Sequence, residues 1–192
     1  MEFTPAIQEP RPFDPGCQRY SSRHPFPPYR HIPGVTPHPI RDPAGHSFGV
    51  EESEIPYSSS PESWRTNESY LYGVDLYNFA YWWEAHEAWE GLWHQAEDDH
   101  RLFLQGLIQV SAALIKYHQR MLRPLRSLST AARSKLTEVH TRLGPAAETY
   151  MGIDLNEFLS RLNAFFAPFY ADPVSEEVYR FPAVNPQIHL SF

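Results

Sequence analysis

Thirteen of the 19 prolines fall in residues 1–66, and only Pro124 and Pro145 interrupt the chain between Asn67 and Phe166. Proline removes an N–H donor, fixes φ and pushes the preceding residue out of the α region. No helix of useful length therefore fits "HPFPPYRHIPGVTPHPIRDPAGHSFG", whereas the stretch after Asn67 is free to be helical. The Pro-rich part is not a plain solvated tail, because Phe13, Tyr20, Phe26, Tyr29, Ile32, Val35, Ile40, Phe48 and Val50 give it apolar anchors. The expectation is an extended arm lying on a folded body, with "DPAGHS" as a turn; a flexible tail is the alternative. "VEESEIPYSSSPES" reads as a mobile, acidic, serine-rich linker. The predicted organisation is an arm and linker over 1–66, a helical domain over 67–166 and an irregular tail over 167–192, in which "QIHLSF" adds a short edge segment.

Within 67–166 the periodicity predicts four helices. The first runs from Glu68 to Gln95. After the break "AEDDH", Asp98 or Asp99 caps a second helix that runs to about Met121. The third starts near Pro124, with Leu125, Leu128, Ala132, Leu136, Val139 and Leu143 spaced three and four apart, and "LGP" stops it. The fourth is capped by Asp154, with Glu157 three residues on as in a capping box. Its apolar face is Phe158, Leu159, Leu162, Phe165 and Phe166. No strand pattern of consequence appears, and short connections between long helices make this an all-α antiparallel bundle of about four helices with a Pro-rich arm.

The single cysteine, Cys17, rules out an intramolecular disulfide and a Cys-based zinc cluster. The first residues lack the basic start and apolar core of a signal peptide. "LFLQGLIQVSAALI" is too short and too often interrupted by glutamine to span a bilayer. A soluble, cytoplasmic protein that does not engage membranes is expected. The net charge of −7 argues against general nucleic-acid binding.

"FAYWWEAHEAWEGLWH" carries the chemistry. On a helix turning about 100° per residue, Glu90 lies about 40° from His86, and Phe79, Trp82, Trp83 and Trp93 fall within about 60° of it. His86 and Glu90 are thus predicted on the most apolar face, with Glu87 at its edge and Glu84 turned toward water. A carboxylate on an apolar face must be paired, protonated or metal-bound. Three readings stay open: a His86–Glu90 pair that merely orients the helix, a general acid–base pair, or a divalent metal site. "HEAWE" has the i, i+4 spacing by which zinc-protease helices present two histidines, with Glu90 in the second place. Further donors would come from the arm, where His38, Asp42 and His46 are available.

The second helix is apolar nearly all round except for Arg101, Gln105, Gln109 and Lys116. That stripe faces either solvent or the His86–Glu90 pair, where an arginine and two glutamines would satisfy a buried carboxylate. Gly106 suggests a close crossing over Trp89 or Trp93. Seven basic residues lie between Lys116 and Arg142 with Glu138 as the sole acid, while six acids and no Lys or Arg lie between Glu84 and Asp99. Such charges bind an anionic partner or face each other within the fold.

These residues resemble the signature of the Domain of unknown function 309 family. "YWWEAHEAWEGLWH" followed by "RLFLQGLIQVSAAL" is similar to its His-Glu-x-x-Glu helix and Gly-Leu-Ile-Gln helix. The pattern covers His86, Glu87, Glu90, Trp93, Arg101, Gln105, Gly106, Leu107, Ile108 and Gln109. "MGIDLNEFL" is similar to a later Gly-Ile-Asp segment. One departure stands out: the family's Gly-Asn turn after the second helix is replaced here by Arg120, Met121, Pro124 and Leu125. The resemblance implies a small all-helical bundle and leaves activity open. The expectation is a buried polar site of His86, Glu87, Glu90, Arg101, Gln105 and Gln109. In an enzyme Glu90 or Glu87 would be the general base, His86 a ligand or proton shuttle and Gln109 an orienting group. A metal, if bound, would be held by His86 and Glu90 with His38 and His46. The alternative is a non-catalytic module in which this cluster only specifies helix packing and the protein self-associates or meets a partner the sequence does not name.

Overall fold

The computed structural model describes residues 8–21, 23–50, 60–144, 147–180 and 184–192. Most of the acidic linker and Pro145 lie outside these residues. The described residues form α1 (Glu68–Asn78), α2 (Trp82–Gln95), α3 (Asp98–His118), α4 (Leu122–Leu143), α5 (Leu155–Phe166) and a short α6 (Glu177–Arg180). Consecutive helices from α1 to α5 pack on one another, giving the all-α bundle. No strand occurs among the described residues; Ile153 makes isolated bridges to Tyr150 and to Leu190 of "QIHLSF".

The predicted first helix is two helices. At the end of α1, Ala80 has φ +65, its N–H donates to Tyr77 O, and the Tyr81 N–H donates to Leu76 O at 2.8 Å. This is a Schellman stop, which ordinarily takes glycine. The same stop ends α3: Arg120 has φ +57, with Arg120 N–H on Tyr117 O and Met121 N–H on Lys116 O. Arginine is less suited than glycine to this left-handed position, and the two hydrogen bonds hold it there. At the start of α3 the N-cap is Glu97, without a side-chain cap bond, rather than Asp98 or Asp99. Asp154 does cap α5, accepting from the Glu157 N–H at 2.9 Å, but the Glu157 side chain turns to Arg161 instead of closing a capping box.

Trp89 is the centre of the core and fully buried. Its indole lies on Gly73 of α1, where a Cβ would stand 2.3 Å from Trp89 Nε1. Gly106 is a close crossing too, but of α3 over Leu136 of α4, not over Trp89 or Trp93.

The Pro-rich arm is docked. Phe13 packs on Trp82, Tyr117 and Phe165, Phe26 on Phe79 and Tyr81, and Ile32 is buried. Fully buried Asp75 of α1 accepts from the Tyr20 N–H at 2.7 Å, the Ser21 N–H at 2.9 Å and Arg19 Nε at 3.3 Å. Glu84 of α2 accepts from the His31 N–H at 2.9 Å and meets His46 Nε2 at 3.2 Å. The His118 ring bonds Gln8 O. The C-terminal segment is held likewise: Asn78 and Ile188 exchange a reciprocal pair of hydrogen bonds at 2.8 and 2.9 Å, and Tyr77 Oη donates to Pro186 O.

Removing the Asp75 carboxylate takes the acceptor from the Tyr20 and Ser21 N–H groups, while Arg19 keeps the Ser21 and His24 carbonyls. Asp75→Ala is expected to cost about 3 kcal/mol, read as a lowered urea midpoint, with the arm becoming the first segment cut in limited proteolysis. A second outcome concerns pH. Burial holds the His31 and His118 imidazoles below the ordinary 6.5, so the docked state binds fewer protons than the released arm. Docking is therefore at full strength above pH 6.5 and weakens as pH falls through the lowered values. Glu84, which burial pushes up, opposes this by taking a proton in the docked state, so Glu84→Gln should steepen the loss. Hydrogen exchange at the Tyr20, Ser21 and His31 amides, corrected for intrinsic rate, measures both.

Candidate metal centre

α2 starts at Trp82, after the stop at Ala80. Its core face is Trp82, Ala85, Trp89 and Leu92, all buried. His86 lies at the edge of that face and Glu90 further round, with side chains 27% and 40% exposed. The expectation that this pair is buried on the aromatic face is corrected. Trp83 and Trp93, which drew the predicted face toward His86, are only partly buried, whereas small Ala85 faces the core.

The opposite correction applies to Glu84. It was expected to face water, and it is the buried carboxylate of α2, with its side chain 5% exposed. The arm covers that side of the helix, and no periodicity within α2 reveals a cover supplied from residues 31–46. Desolvation pushes the Glu84 carboxyl up, while its hydrogen bonds and His46 pull it back. Oε1 takes both arm contacts; Oε2 has no hydrogen-bond partner among the described residues.

His86, Glu87 and Glu90 nevertheless converge. His86 Nδ1 is 3.2 Å from Glu87 Oε1 and 3.8 Å from Glu90 Oε2. One donor atom from each of the three lies within 4.8 Å of the others, the metal-competent group among the described residues. The helix positions them at i, i+1 and i+4, so one turn presents all three. A nitrogen and two carboxylate oxygens make a mixed donor set that suits zinc and other divalent first-row ions.

The remaining expected members lie elsewhere. His46 pairs with Glu84. His38 lies tilted against His31 and edge-on to Trp83, and its Nδ1 accepts from the Ile40 and Arg41 N–H groups. Neither is in the His86 group. Arg101 closes the end of α2, with Nη1 donating to Trp93 O at 3.0 Å and the guanidinium 3.9 Å over the Trp93 ring. That is a cation on the carbonyl end of a helix. Gln105 and Gln109 are partly buried, and no hydrogen bond among the described residues joins Arg101, Gln105 or Gln109 to His86, Glu87 or Glu90. The acidic and basic runs partly face each other, since Arg142 of α4 pairs with Asp99 of α3 at 2.7 Å.

Three functional groups escaped the sequence: Asp75, Asn78 and Glu84, the anchors of irregular chain. A signal existed for the first two, which are isolated polar residues in the otherwise apolar "GVDLYN". None existed for Glu84, which sits among other glutamates.

No helix among the described residues is long and apolar enough to cross a membrane. No curated protein and no solved structure matches the chain. One comparison does find a relation, and it covers the segment that carries α1, α2, α3 and the opening turns of α4: residues 70–128 match the family described as Domain of unknown function (DUF309).

Proposed function

We propose that His86, Glu87 and Glu90 bind a divalent metal ion on the outer edge of α2. The convergence of three donor atoms within 4.8 Å supports this reading. Donors sharing an ion at bond lengths of about 2.1 Å stand about 3.0–3.5 Å apart, and the His86–Glu87 separation of 3.2 Å already falls there. Glu90 reaches that spacing by a small rotamer change, which its partial exposure allows. Three protein donors on a half-open surface leave coordination positions for water, the arrangement that hydrolytic metal sites use to generate hydroxide at neutral pH. In that chemistry Glu87 or Glu90 would alternate between ligand and general base.

One observation favours a second reading, in which the polar residues only specify packing. Arg101, expected at the site, instead caps α2, and the buried Asp75, Asn78 and Glu84 all hold backbone.

Titration of chelator-stripped protein with zinc or manganese by calorimetry separates the two. The metal reading expects one ion per chain, with affinity falling at least about tenfold in His86→Ala and in Glu90→Ala. Because these side chains are partly exposed, both variants should unfold within about 0.5 kcal/mol of the wild type. Absence of stoichiometric binding in the wild type would leave the packing reading.

A further inference from the structure

A second constellation lies on the arm side of α2 and uses none of the metal donors. Ser47 Oγ is 2.8 Å from His46 Nδ1, and His46 Nε2 is 3.2 Å from Glu84 Oε1. The order hydroxyl, imidazole, carboxylate is that of a nucleophile, its base and the group that orients the base. We infer that Ser47, His46 and Glu84 form a nucleophilic relay for acyl transfer, and that its substrates are carboxylic esters with an apolar acyl chain.

The tautomer follows from the partners. With Glu84 accepting as a carboxylate, His46 Nε2 is the donor in the 3.2 Å contact to Glu84 Oε1 that the relay requires. Nδ1 is then the lone-pair nitrogen, and the Ser47 hydroxyl donates to it. That is the state in which the imidazole can take the serine proton.

The base and its orienter are rigid. The His46 and Glu84 side chains are 6% and 5% exposed. Glu84 is fixed by the His31 N–H, and the His46 ring lies edge-on to Tyr29 at 4.8 Å. The loop around them is pinned as well. Ser47 N–H donates to Pro39 O at 3.0 Å, and Ala44 N–H to Asp42 Oδ1 at 2.9 Å. Gly45 passes so close that a Cβ there would meet His38 O and Pro39 O at 2.3 Å. Ser47 itself is only partly buried, so the nucleophile is reachable while its base is shielded.

The loop's surface supplies the substrate class. Seven large hydrophobic residues are exposed among the described residues, and Val35, Ile40, Phe48 and Val50 of this one loop are four of them. Phe48 follows the nucleophile directly, and Ile40 follows the proline whose carbonyl holds Ser47. An apolar acyl chain would cover surface that is otherwise wetted.

In the reaction, Ser47 Oγ bonds to the ester carbonyl carbon as its proton passes to His46 Nδ1. Glu84 stabilises the resulting imidazolium at Nε2. The carbon–oxygen bond to the alcohol breaks, and the alcohol oxygen takes the proton from Nδ1. Water then attacks the acyl-Ser47 ester, gives its proton to Nδ1, and the acid leaves as Ser47 Oγ regains a proton.

The test is labelling of the full chain with an alkyl fluorophosphonate, the site mapped by mass spectrometry, alongside hydrolysis of 4-nitrophenyl butyrate. Ser47 should be labelled in the wild type, with label and hydrolysis lost in Ser47→Ala. In His46→Ala both should fall by about a hundredfold or more. Glu84 acts through His46, so Glu84→Gln should lower kcat while leaving KM unchanged, a split that general loosening of the loop would not give. Both signals should persist in EDTA, which separates them from the metal reading. Failure of folded wild type to label at Ser47, or equal labelling of Ser47 in His46→Ala, would reduce the Ser47–His46 contact to a local loop hydrogen bond and overturn the relay.

Discussion

Buried carboxylates and an amide that satisfy irregular backbone are what the rest of this structure depends on. A helix consumes its own N–H and C=O groups; a Pro-rich arm cannot, and covering a core with it would leave polar backbone dry. Asp75, Asn78 and Glu84 resolve this by taking the arm and tail N–H groups of Tyr20, Ser21, Ile188 and His31. Proline contributes in the same sense, since each one in the arm lacks the N–H that would otherwise need an acceptor. The arm therefore works as a second layer over α1 and α2 with no α-helix or strand among its described residues.

That layer explains what was and was not legible in the sequence. The helical bundle, the third and fourth predicted helices, the Asp154 cap and the anchors Phe13, Phe26 and Ile32 follow from spacing and composition, whereas Val35, Ile40, Phe48 and Val50, expected as anchors too, are exposed. The joining of α1 and α2 into one predicted helix has a local cause. Helix stops are recognised by glycine, and here Ala80 and Arg120 take up the left-handed conformation instead, held by hydrogen bonds that any residue can make.

The candidate site was legible in part. His86, Glu87 and Glu90 are brought together because i, i+1 and i+4 on a helix are neighbours whatever the tertiary structure. Their surroundings were not legible, because burial on α2 is decided by segments distant in the chain. His46 is 38 residues from Glu84, and a wheel drawn over α2 gives the wrong side to water. The same cover separates two groups of side chains on one helix: a partly exposed edge where His86, Glu87 and Glu90 converge, and a shielded face where Glu84 meets His46.

The two irregular ends of the chain also meet each other. Tyr20 Oη accepts from the Leu190 N–H across 170 residues of sequence, and the Tyr20 ring stacks on Phe192 at 5.9 Å. Closing so long a loop is costly in chain entropy if done alone, but the helices between them have already shortened the span. Arm and tail thus form one seam, in which each end completes the surface on which the other rests.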